Sequence, residues 1–121
     1  MMTKQAFLDH KPAVKRIEIP EWDDCVYIKK MTVGERFQLM KKSVSISGKD
    51  VSINEDAINE SIVKACQLAI CDDAGVRVFD DTDDDFRLLN EKEGVVLEMI
   101  FNEVMAFNGL GEVEEKEAIK N

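Results

Sequence analysis

Ile17 and Ile19 fall on one side of the stretch 13–19, and Arg16 and Glu18 on the other. That period of two predicts a half-buried strand, closed by Pro20. Glu21 to Asp24 form a polar turn around Trp22, and Cys25-Val26-Tyr27-Ile28 is rich in β-formers. Two short strands around a turn predict an antiparallel hairpin. Ahead of it, Thr3 caps a short helical turn holding Ala6, Phe7 and Leu8, which Lys11-Pro12 ends. After Met31 the period lengthens. Thr32 and Glu35 have capping-box spacing, and Val33, Phe37, Met40 and Val44 follow as one helical face.

Residues 43–54 read as a polar loop. Asn54 is placed to cap the next helix, with Glu55 and Asp56 in its first turn and Ile58, Ile62, Ala65, Cys66 and Ala69 on its apolar face. Cys71 to Gly75 predict a tight turn and Val76 to Phe79 a short extended piece. Asp81 or Thr82 opens a helix bearing Phe86, Leu88 and Leu89. Gly94 breaks the pattern before residues 95–107, the most apolar helix of the chain, ended by Asn108-Gly109. The predicted fold is α+β: an N-terminal antiparallel β-hairpin followed by a helical part of three main helices. It forms a single domain over residues 1–111, with a flexible acidic tail at 112–121.

The chain has 121 residues, 45% apolar and 34% charged, an ordinary balance for one globular domain. Its formal charge of −9 is uneven. Residues 1–42 hold nine Lys/Arg against six Asp/Glu, giving +3, whereas residues 72–85 hold seven Asp against one Arg, giving −6. The acidic whole argues against nucleic acid as a partner, because neutralising phosphates needs clustered Lys and Arg. Apolar stretches fall short of a membrane span, and residues 1–11 lack the apolar segment of a secretory signal. With three cysteines, an odd number, a reducing cytoplasm with free thiols is expected.

Candidate chemistry is sparse. Counted from Asp81, a calcium loop finds Asp83 and Asp85 in place but Phe86 where glycine belongs and Lys92 where glutamate belongs. The aspartates suit a helix N-terminus instead. Cys66 and Cys71 match neither zinc nor redox spacing and read as small core residues. His10 stands without a nucleophile, and the carboxylates lie in polar runs where nothing buries them. No catalytic, cofactor or metal residues are therefore assigned, and an enzyme is not expected. Two features favour protein binding. Residues 95–107 are apolar round more than half the helix, offering Val96, Met99, Ile100, Val104 and Phe107 either to the core or to a partner. Trp22 is a second anchor candidate.

An ordered set of short motifs carries a family likeness. It runs through Ala6-Phe7-Leu8, Ile17-Glu18-Ile19-Pro20-Glu21 and Val26-Tyr27-Ile28-Lys29-Lys30. It continues with Met31-Thr32-Val33-Gly34-Glu35-Arg36, then Leu68 to Gly75, Val78-Phe79, and Phe107-Asn108-Gly109-Leu110 ahead of an acidic tail. In this order the chain resembles the tail assembly chaperones of long-tailed bacteriophages and prophages, from about Ala6 to Leu110. The resemblance implies a non-enzymatic assembly factor that binds the tape-measure protein, keeps it soluble and brings tail-tube protein to it. It also implies a homo-oligomer acting in the host cytoplasm and absent from the mature virion. Many members come in two lengths through frameshifting, and an end at Asn121 fits the short form. The family supplies no catalytic residues to transfer. Alternatives are a minor tail or head–tail connector subunit, and a small regulatory binding module.

Overall fold

The computed structural model describes residues 1–43, 45–47, 50–52 and 55–110. The expected tail at 112–121, the capping Asn54 and the apolar Val44 lie outside them. A short helix, α1 (Lys4–Asp9), is capped by the Thr3 hydroxyl, which accepts from the Ala6 N–H, and buries none of its residues. The hairpin follows as β1 (Val14–Ile19) and β2 (Asp24–Lys29), antiparallel with Ile19 opposite Asp24 and Val14 opposite Lys29. A single 3₁₀ turn, Pro20–Trp22, joins them, and Asp23 at φ 51° turns the chain back in the left-handed region that Asp tolerates. Ile17, Ile19 and Ile28 are buried, as their alternation requires.

The next helix, α2 (Val33–Ser43), leads into a small antiparallel ribbon of β3 (Ser45–Ser47) and β4 (Asp50–Ser52). This corrects the reading of 43–54 as a polar loop. Ser-Ile-Ser and Asp-Val-Ser each alternate polar and apolar, and three residues are too few for that pattern to stand out. Then comes α3 (Glu55–Ala69), which runs directly into β5 (Ile70–Cys71), and β5 pairs antiparallel with β2 to make a sheet of order β1-β2-β5. The hairpin thus gains a third strand. Asp72 closes the following turn by accepting at Oδ1 from the Ala74 and Val76 N–H groups, with Gly75 at φ +85°.

Thr82 caps α4 (Asp83–Asn90), where Asp83, Asp84 and Asp85 crowd the positive end of the helix. The final helix is α5 (Gly94–Phe107). It lies against β1 and β2, α3 packs on α5, and α2 and α4 pack on α3. The most enclosed helix is therefore α3: residues 63–69 are all buried. Its Gln67 side chain donates to the Asp80 and Thr82 carbonyls at 2.7 and 2.9 Å, and Lys64 pairs with Asp81, tying down the approach to α4. Ile58, on the apolar face read for α3, is exposed, because the side of the N-terminal half that turns inward carries Ala57 and Ser61 instead.

The end of α5 is clamped. Leu110 N–H bonds the Met105 carbonyl and Gly109 N–H, at φ 69°, the Ala106 carbonyl, a Schellman pair that satisfies carbonyls left over at the helix end. Asn108 reaches across the fold: its Oδ1 accepts from the Met31 N–H at 2.7 Å while Nδ2 donates to Val104 O at 2.9 Å. Asn108→Ala leaves both backbone groups without these partners and is expected to cost about 1–3 kcal/mol in urea unfolding, with the slope unchanged. A loss below a few tenths of a kcal/mol means the clamp is not a determinant of stability.

Candidate docking face

The N-terminus of α2 closes as the sequence predicts. Thr32 Oγ1 accepts from the Glu35 N–H at 3.1 Å, and Glu35 Oε1 accepts from the Thr32 N–H at 2.9 Å, a complete capping box. Glu35 has a second task. It is 7% exposed, pairs with Lys29, itself 5% exposed, and takes Arg77 Nη2 on Oε2 at 2.8 Å. One carboxylate thus joins α2 to β2 and to the segment after β5. Burial pushes its pKa up, but the hydrogen bonds from Lys29 and Thr32 and the charges of Lys29 and Arg77 outweigh it. The pKa ends below the ordinary glutamate value. The expectation that no carboxylate is buried is corrected here. The signal was available in the capping spacing, though not the two cations that balance the charge.

Because Glu35 points inward, the rest of the helix is turned round. At about 100° per residue, Glu35 and Leu39 lie on one side, and Val33, Phe37 and Met40 fall within about 60° of arc on the opposite one. Leu39 is buried, whereas Val33, Phe37 and Met40 are 86%, 59% and 59% exposed. The apolar stripe read from the sequence faces solvent at these three residues. The physical reason is that the buried ion pair and Leu39 together fix the rotation of α2 against α3, and a helix cannot present both faces to one neighbour. The result is a rigid apolar ridge supported from beneath.

The expected partner residues divide. Val96, Ile100 and Val104 are buried in the core with Ile17, Ile28, Leu68 and Cys66, so in this fold they cannot reach a partner. Phe107 is partly buried, with Lys30 Nζ 4.4 Å from its ring centroid. Met99 is half-buried and lines a shallow groove on the outer side of α5 with Val95, Asn102 and Ala106. Trp22 is 38% exposed, and its Nε1–H donates to Glu93 Oε1 at 2.8 Å, fastening the hairpin turn to the start of α5. Its ring borders a pocket of about 280 Å³ with Val26, Tyr27, Phe79, Leu89 and Leu97, where β2 extends past the two-residue β5.

Burial pushes the Cys66 thiol up to about 12, and its Sγ donates to Leu97 O at 3.6 Å. Burial raises Cys71 as well, helped by Asp72 and opposed by Lys29. Among the described residues no group of three or more His, Cys, Asp or Glu is placed to hold a metal ion, and no helix is long and apolar enough to cross a membrane. Comparison with family models, curated proteins and solved structures found no match for this chain.

Proposed function

We propose that this chain is a non-enzymatic assembly factor of the tail-assembly-chaperone type. In this reading it holds the tape-measure protein in solution and brings tail-tube protein to it. It works in the host cytoplasm, as an oligomer, and does not remain in the mature virion. The observation that carries the reading is the ridge Val33-Phe37-Met40, exposed on a helix whose other side is locked by a capping box and a buried ion pair. Covering each such side chain yields up to roughly 1.5–3 kcal/mol before the costs of association, so the ridge anchors a partner together with further contacts around it. The charge of −9 favours solubility while apolar surface stays open. Docking therefore moves from α5, where the apolar residues are mostly spent on the core, to α2, with Met99 and Trp22 as secondary contacts.

Co-expression with the tape-measure protein tests this. The parent chain is expected to keep that protein in the soluble fraction. Phe37→Asp with Met40→Asp is expected to lower the retained amount at least tenfold with Tm changed by no more than a few degrees, since exposed substitutions cost little stability. Full retention by the folded double variant removes α2 from the interface. Failure of the parent to retain the tape-measure protein, or its recovery from purified virions, removes the assignment.

A further inference from the structure

The ridge on α2 is bordered by charge of the sign opposite to that of the chain. On the helical projection Arg36 falls on one side of Val33-Phe37-Met40 and Lys41 on the other. Lys41 Nζ stands 5.4 Å from the Phe37 ring centroid, so its charge lies over the ridge itself. Arg36 Nη2 donates to Asn108 O at 3.5 Å, and Lys30 Nζ donates to the neighbouring Phe107 O, which brings a third cation beside Arg36 at the N-terminal end of α2, with Lys41 in its last turn. All three are exposed, and none is in an ion pair with a carboxylate among the described residues, although Lys15, Lys29, Lys42, Lys64, Arg77 and Arg87 each have one.

We infer that the partner of this face is an amphipathic helix whose apolar seam is flanked on both sides by carboxylates. The inference rests on α2 being the docking face proposed above and names the chemistry of what it holds. A convex ridge on a helix of 11 residues, about 16 Å long, packs best against a second helix whose ridges fill its grooves. Flanking charges then set partner and orientation, as the positions beside an apolar seam do in coiled coils. Complementarity acts at short range. At physiological salt, charge is screened within about 8 Å. Asp81 and Asp83 share a pocket with Lys42, which lies on the side of α2 opposite the ridge, so a docked helix meets Arg36 and Lys41 first. Nucleic acid and anionic lipid are extended charged surfaces, which meet the net charge of −9 as well as the three cations.

Two labelled helical peptides with the same leucine seam, one flanked by Glu and one by Lys, separate the possibilities when titrated against the full chain by fluorescence anisotropy. The Glu-flanked peptide is expected to bind at least tenfold tighter at 50 mM salt, with the preference shrinking towards 1 M. Arg36→Glu with Lys41→Glu should reverse the preference while circular dichroism stays that of the parent, and Phe37→Asp should weaken both peptides. Equal binding of the two peptides, no binding of either, or a preference untouched by charge reversal overturns the inference. So does stronger binding to phosphatidylglycerol vesicles or a DNA duplex, or self-association of the chain that Arg36→Glu abolishes. If charge has no effect but Phe37→Asp still releases the tape-measure protein, α2 survives as the docking face and only the acidic partner is lost.

Discussion

Replacing Glu35 with alanine is expected to destabilise the protein by about 3–5 kcal/mol, the usual result of removing one partner from a buried ion pair. Lys29 would then be an enclosed ammonium without a carboxylate, Arg77 would lose its acceptor, and the Thr32 N–H would lose its cap. Against a total stability of about 5–15 kcal/mol for a domain, that is a large fraction. Adding Lys29→Met to the alanine variant should recover part of the loss, because the stranded charge is the costly element. The pH dependence has a definite sign. Glu35 has a folded-state pKa below its ordinary 4.5, so its contribution is fully present above that value and disappears as pH falls through the folded pKa. Urea midpoints of the parent and of Glu35→Gln should therefore differ most at neutral pH and converge in acid. A constant difference from pH 7 to pH 3 means that the ionised carboxylate is not what the network uses.

The same residue explains how far the sequence could be read. Capping spacing, strand alternation and the Asn108-Gly109 stop are local signals, and each produced the element it predicts: Thr32 and Glu35 bond reciprocally, Ile17 and Ile19 are buried, and α5 ends in a Schellman pair. The rotation of α2 was not legible. Periodicity finds the apolar stripe of a helix but not the side it turns inward, and here Glu35, on the opposite side, acquires counter-charges from Lys29 in β2 and from Arg77, 42 residues further on. β5 was missed because two residues carry no period; its pairing with β2 depends on where α3 delivers the chain. The candidate site was thus visible as a stripe and misplaced as a surface, while residues 95–107 were read correctly as an apolar helix that had to be either covered or shared.

That choice has a decisive test in Ile100, which is 1% exposed and packed in the core. Ile100→Asp removes a side chain whose truncation alone costs about 2–5 kcal/mol. It also places a carboxylate among the apolar side chains of the core, adding several kcal/mol more unless the group is protonated. The sum reaches the whole stability of a domain, so no cooperative thermal transition is expected at pH 7. Met99→Asp, one position earlier on the same helix but half-exposed on its outer groove, should keep the parent far-UV spectrum and lower Tm by only several degrees. If Ile100→Asp instead melts like the parent, α5 is not packed as described. The contrast also fixes how binding data should be read: partner loss in an Ile100 or Val104 variant reports unfolding, whereas partner loss in a folded Phe37 variant reports the interface.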